Sequence, residues 1–316
     1  MFEREPEKPH FAKIAVIMLG VLLLSTGAAW LLVAGRDRAS VRGAEIVREL
    51  RGRGLGAFWD RPQIRWYLET RQGRPVGWHA FIVAPAGQEY HGLDVQHWLT
   101  STGEQTYWER WELNASATGG AYRAGPVARG MRITDTVIRY AKDEVTLLKN
   151  ATDAKALSPA PDNYIPEGTL NLVCLLTSRQ NRRAYFHMVF NEREPVAGKI
   201  DYGTIMLEPV DAASLGISEA ASAVRYRTWV PRQQDRVFAF DRQGRLLATV
   251  AADEDARRTA VAESEVLRHF PDAADLVVQL ARSLKLPASP QAPESEQPDE
   301  PADELTTHQV RPNGQP

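Results

Sequence analysis

The chain has 316 residues, a formal net charge of −2 and a single cysteine, Cys174. The near-neutral balance gives no global basic field for nucleic acid. One thiol excludes an intrachain disulfide framework and any zinc site with two or more thiolates.

Residues 1–13 are a short polar tail of mixed charge. Residues 14–35, IAVIMLGVLLLSTGAAWLLVAG, carry no charge. At about 1.5 Å per residue, roughly 22 residues of helix cross a hydrocarbon core of about 30 Å, so the run predicts a transmembrane helix. It is longer than a signal-peptide core, which favours an uncleaved single-pass signal-anchor; Val33-Ala34-Gly35 is the alternative, a small-residue cleavage site. Arg4, Lys8 and Lys13 precede the run, and Arg36, Arg38, Arg42, Arg48, Arg51 and Arg53 follow it. Counted alone, these charges place the large domain in the cytoplasm. Long domains translocate largely regardless of charge, and the domain type argued below favours the extracytoplasmic side.

Residues 36–60 read as a stalk, with a short helix over 38–50 and a flexible glycine-rich piece at Gly52–Gly56. From residue 61 to 286 the texture is that of a β-rich globular domain. The segment 64–71 alternates, with Ile64, Trp66 and Leu68 on one face and Arg65, Tyr67 and Glu69 on the other. Gln72-Gly73-Arg74-Pro75 is a turn, and 76–83, 89–100 and 106–113 continue an antiparallel meander. Segments 131–140 and 145–148 extend it. A loop is expected over 153–166, then an apolar helix over 167–178 that carries Cys174 as a buried small residue. Strands follow at 184–190, 202–207, 224–230, 237–240 and 246–250, the last two joined by a turn at Asp241-Arg242-Gln243-Gly244. The segment 255–270 fits a helix or a last strand, and 272–284 has the apolar spacing of an amphipathic helix. Residues 287–316 form an acidic, proline-rich tail that is expected to be disordered.

The fold class expected is therefore an N-terminal transmembrane helix followed by a mainly-β (α+β) domain. Its core would be a curved antiparallel sheet or half-barrel with one or two packed helices.

No enzymatic motif emerges. Gly216-Ile217-Ser218-Glu219-Ala220 lacks the last glycine of a nucleophile elbow, and phosphate-loop and H-E-x-x-H patterns are absent. Glu109 and Glu112 point to opposite faces of one strand and do not form a carboxylate pair. His91 and His97 lie too far apart along a strand to share an ion, and His79 with His91 makes a poor site. We expect neither catalytic residue, metal nor cofactor. The remaining signal is aromatic: Trp66, Trp78, Trp98, Trp108, Trp111, Tyr226 and Trp229, with Arg65 and Arg110 at the rim, are the candidate lining of a concave binding surface.

The stretch W-Y-L-E-T-R-Q-G-R-P-V-G-W at 66–78 resembles the opening hairpin of a class of bacterial envelope proteins related to lipoprotein-carrier domains. V-R-Y-R-T-W at 224–229 and V-F-A-F-D-R-Q-G-R-L-L at 237–247 are similar to their closing strands, and Ile165-Pro166 before the 167–178 helix fits too. The resemblance implies a strongly curved antiparallel sheet around a helix, an envelope location and an apolar concave cavity. It carries over no catalytic residue. The function expected is a membrane-anchored, non-enzymatic envelope protein that binds a lipid, lipoprotein or polymer segment. The alternatives are a scaffolding subunit of a membrane complex and an envelope hydrolase with a dispersed site.

Overall fold

A computed structural model describes residues 11–101, 103–127, 136–141, 144–149, 152–153, 160–189, 202–228, 235–251, 256–283 and 286. The chain opens with helix α1, Phe11–Arg53. Eight strands follow: β1 (Gln63–Arg71), β2 (Arg74–Ala86), β3 (Glu89–Thr100), β4 (Gly103–Asn114), β5 (Gly119–Pro126), β6 (Thr136–Ala141), β7 (Glu144–Lys149) and β8 (Thr152–Asp153). A 3-10 turn, Glu167–Thr169, runs into helix α2, Leu170–Gln180. The second half holds β9 (Ala184–Val189), β10 (Tyr202–Val210), β11 (Ser222–Thr228), β12 (Arg236–Phe240), β13 (Leu246–Ala251) and β14 (Ala256–Val261). Helices α3 (Glu263–His269) and α4 (Ala273–Ser283) close the described chain.

All the strands join one open, curved antiparallel sheet in the order β8-β7-β6-β5-β4-β3-β2-β1-β14-β13-β12-β11-β10-β9. Two meanders therefore meet at one seam, β1 against β14, where Trp66 faces Val261 and Glu69 faces Arg258. The segment 255–270, which fits a helix or a strand by sequence, is both: β14 and then α3. The strand β5 was not anticipated; its sequence, GGAYRAGP, lacks the run of β-branched residues that marks a strand. The expected strand start over 131–135 lies outside the described residues, as do the tail from 287 and the second half of the loop's first stretch at 154–159.

Side chains alternate across the sheet, so the two faces carry separate cores. On the concave face α2 is buried nearly all round, with Leu172, Val173, Cys174, Leu175 and Leu176 at most 6% exposed. They pack against Phe186, Ile205, Leu207, Val224 and Phe240 of the sheet and against Ile46, Val47 and Leu50 of α1. Asn181 ends α2 in the left-handed conformation, φ 51°. On the convex face Val266, Ala273, Val277, Leu280 and Ala281 of α3 and α4 cover Trp66, Trp78, Ile82, Val95 and Trp108. The edge strand β9 is protected by the segment before α2: Ile165 donates its N–H to the His187 carbonyl at 2.9 Å, and His187 donates to that of Asn163 at 3.0 Å.

The N-terminal region corrects one expectation. Residues 36–60, expected as a stalk with a flexible piece at 52–56, pack into the domain from Ala39 onward. Helix α1 runs on without a break from the apolar stretch to Arg53, and Ala39, Ile46, Val47, Leu50, Leu55 and Trp59 are all buried. Gly54, at φ 71°, makes the sharp exit, and Leu55 donates its N–H to the Ala115 carbonyl at 2.7 Å. Gly43 lets α1 lie directly on β9, because a Cβ there would overlap the Tyr185 carbonyl oxygen. Upstream, Ile17, Leu19, Leu22 and Leu24 of the same helix are exposed, Leu24 at 76%. The side chains of 11–16 and 27–33 lie outside the described residues. Among the described residues no helix is long and apolar enough to cross a membrane.

Candidate binding site

Helix α2 fills only part of the concave side. Beside it lies a cavity of about 590 Å³, within the range that holds small amphiphilic ligands. Its apolar walls are Phe81 of β2, Trp98 of β3, Trp111 of β4, Met188 of β9, Tyr226 of β11 and Phe238 of β12, with Leu170 at the start of α2. Trp111 is held by shape: its indole lies over Gly92 of β3 and Gly168 of the 3-10 turn, and a Cβ on either glycine would overlap the ring. Trp59, just after α1, stacks on it with centroids 5.0 Å apart.

A polar band crosses this face. His79 of β2 is 4% exposed. Arg258 of β14 approaches its Nδ1 at 3.0 Å. A guanidinium only donates, so Nδ1 accepts and the imidazole proton sits on Nε2. Nε2 faces Asp94 Oδ1 at 2.6 Å, and Asp94 acts on the ring through its charge and a side-chain hydrogen bond. Burial, reinforced by Arg258 and opposed by Asp94, lowers the His79 pKa and keeps the ring neutral near pH 7. Arg258 also reaches Glu69 Oε2 at 3.1 Å and Gln96 Oε1 at 3.3 Å. Arg236 of β12 stands nearby, exposed as a residue with its pKa lowered by desolvation and by the charge of Arg258. Among the described residues Arg236 forms no ion pair, although the field of Glu69 and Glu109 reaches it.

Opposite the arginines the lining is acidic: Asp94, Glu109 and Glu167. Glu167 is partly exposed as a residue, yet its Oε2 is sealed from solvent and has no hydrogen-bond partner among the described residues. Burial pushes its carboxyl up to about 8, against the lowering effect of hydrogen bonds from its own backbone, Tyr164 and the Val189 backbone.

The aromatic residues singled out by sequence are divided by the sheet. Trp98, Trp111 and Tyr226 line the cavity. Trp66, Trp78 and Trp108 do not join them: they lie on the opposite face, beneath α3 and α4. Arg65 lines a separate cleft of about 160 Å³ with Trp59 and Phe240 and donates to Gln63 Oε1 at 2.9 Å. Arg110 pairs with Glu112, in register with Leu93 of the convex core. Trp229 lies outside the described residues. Sequence reasoning weighed His79 as a metal ligand and Glu109 as half of a carboxylate pair, and missed their grouping with Arg258, Asp94 and Glu167. Among the described residues no group of three or more His, Cys, Asp or Glu is placed to hold a metal ion.

No protein-family model matches the chain, and no curated protein matches it. Solved structures overlap it more loosely. One is a β-barrel-like protein of the domain of unknown function DUF1849 from Brucella abortus: 9% identity, 63% of this chain and 94% of that one, TM-score 0.42. A DUF1089 family protein from Pseudomonas aeruginosa is 13% identical over 57% of this chain and 87% of that one, TM-score 0.21. A DUF1329 family protein from Desulfovibrio piger is 11% identical over 70% of this chain and 90% of that one, TM-score 0.16. Only the first of these three is described as β-barrel-like, and overlaps this shallow transfer no activity.

Proposed function

We propose that the protein is a membrane-anchored, non-enzymatic binding protein of the cell envelope, and that the concave cavity of its curved sheet takes an amphiphilic ligand: a lipid, or the lipidated or apolar segment of a lipoprotein or polymer. The observation that carries the reading is the cavity of about 590 Å³, where aromatic and apolar side chains meet polar and charged ones in comparable measure. An apolar wall holds a chain by burial, and a few placed polar groups fix its orientation. The anchor rests on the uncharged run 14–35 and on its continuity with α1, which ties the domain closely to whatever holds that run. The resemblance of 66–78, 224–229 and 237–247 to strands of bacterial envelope proteins of the lipoprotein-carrier type points the same way.

The test is native mass spectrometry of the full-length chain ejected from lipid nanodiscs. The reading predicts a retained amphiphile, and its loss in Leu170→Trp and Met188→Trp, which put an indole into the cavity. A bare protein mass, or equal retention in both variants, would overturn it.

A further inference from the structure

A second hollow adjoins the cavity. It is the cleft of about 160 Å³ between the end of α1, β1, the side of α2 and the turn that leads into β13. Phe81, Asn171 and Leu246 line both hollows and form the partition between them. The charged lining of the cleft is of one sign: Arg53, Arg65, Arg179 and Arg245 border it, with no lysine, aspartate or glutamate. The four arginines come from α1, β1, α2 and the turn before β13, so the fold gathers them and no single run of sequence does.

Two of these guanidiniums are matched by carboxylates that stand outside the lining. Arg53 pairs with Glu49 and Arg245 with Asp241, each at 2.6 Å, and both arginines are more than half exposed at the rim. Arg65 and Arg179 have no such match among the described residues. Arg65 donates to Gln63 Oε1, a neutral acceptor, at 2.9 Å. Arg179 lies against the turn, where a Cβ on Gly244 would stand 2.8 Å from its guanidinium. The floor between them is dry: Trp59, Tyr67, Leu175 and Phe240 are at most 4% exposed. Charges on such a floor act on one another more strongly than in open water.

Four guanidiniums against two contacting carboxylates leave two positive charges at one small hollow. Guanidinium forks take oxyanions two oxygens at a time. A carboxylate brings one negative charge. A terminal phosphate brings about 1.5 to 2 at pH 7, with three acceptor oxygens. A volume of about 160 Å³ equals the liquid share of about five waters, enough for a phosphate and too little for an acyl chain.

We infer that this cleft is an anion site for a terminal phosphate group, held by Arg65 and Arg179 with Arg53 and Arg245 at the rim. It is separate from the cavity that takes the amphiphile. The same phosphate chemistry is offered by a soluble phosphate or phosphate monoester and by a monoester lipid, phosphatidic acid.

The experiment is isothermal titration calorimetry of the full-length chain in phosphocholine nanodiscs with inorganic phosphate, at constant ionic strength in chloride. The expected result is saturable binding at one site, weakened about tenfold in Arg179→Gln and in Arg65→Gln, the size of one charge-assisted contact. Arg179→Lys, which keeps the charge and loses the fork, should be weakened less. Arg242→Gln should leave it unchanged, since Arg242 is exposed on the same turn but lies outside the cleft. The titration repeated in nanodiscs holding phosphatidic acid separates the sources. Loss of the phosphate signal there assigns the site to the lipid head group and persistence assigns it to a soluble phosphate, and both support the site. No saturable binding in the phosphocholine discs, or equal weakening by Arg242→Gln and Arg179→Gln, would overturn it. Either of those results leaves the amphiphile reading standing, which is decided by the lipid retained in Leu170→Trp and Met188→Trp.

Discussion

Single side chains decide how the cavity is built. Trp111 is clamped between Gly92 and Gly168, so Gly92→Ala must displace the ring from both the cavity wall and Trp59. Overpacking of this kind costs about 1–3 kcal/mol; urea unfolding of the variant, with near-ultraviolet circular dichroism to follow the indole, should show the loss. Glu167 predicts a pH effect with a definite sign. Its folded pKa of about 8 stands above the ordinary 4.5, so the folded state holds the proton more tightly than the unfolded chain. The contribution is present in full below about pH 4.5 and is lost as the pH rises through about 8. Glu167→Gln should remove that slope, leaving the variant relatively more stable at pH 8.5 than at pH 5.5. Urea midpoints of the two proteins that run parallel across this range would contradict it. Neither residue role was legible beforehand. Trp111 looked like one of several equivalent tryptophans, and nothing in the local sequence around Glu167 signals that a carboxyl there is sealed from solvent.

At the level of elements, most strands of both halves, though not β5, were readable because turn residues punctuate alternating runs, as at 72–75 and 241–244. The seam between the halves was not. His79 and Arg258 are 179 positions apart, and only the pairing of β14 with β1 brings them together. The 255–270 segment gave no single period because it changes from strand to helix at residue 262. The division of the tryptophans follows from the same gap. The apolar stripe of α4 demanded a partner surface, and Trp66, Trp78 and Trp108 supply it on the convex face. Val277→Asp would place a charge in that contact, where Val277 is 2% exposed. It should cost roughly 3 kcal/mol or more. A red shift of tryptophan emission is the accompanying signal, since α4 would leave the indoles it covers. Emission unchanged from the parent protein would show that α4 is not what shields them.

Across the whole molecule, α1 belongs to two places at once. Its N-terminal part presents Ile17, Leu19, Leu22 and Leu24 outward, and its C-terminal part is core. This makes the boundary of the folding unit testable. Among the described residues of α1 Ala39 is the first that is buried, so a chain starting at residue 37 keeps all of these buried side chains and should fold cooperatively. A chain starting at residue 61 loses Ile46, Val47, Leu50, Leu55 and Trp59. At about 1.5–3 kcal/mol for each large apolar side chain, that loss rivals a whole domain's stability of about 5–15 kcal/mol, so the shorter chain should not fold. Circular dichroism and thermal melts of the two truncations distinguish these outcomes. The uncharged run was plain in sequence, as was a short helix over 38–50 with an imperfect apolar stripe through Ile46, Val47 and Leu50; the merging of that helix with the run and the core was hidden, because its partners on α2 and the sheet are distant in sequence.

The central claim is that the concave cavity is where an amphiphile resides. It is tested most directly by photo-crosslinking the full-length chain, in nanodiscs, with a lipid that carries a diazirine at the end of its acyl chain, followed by peptide mapping. The account predicts adducts on cavity residues such as Trp98, Leu170, Met188 and Phe238, in addition to any on 14–35, and their disappearance in Leu170→Trp. Adducts confined to 14–35, or cavity adducts indifferent to that substitution, would contradict it.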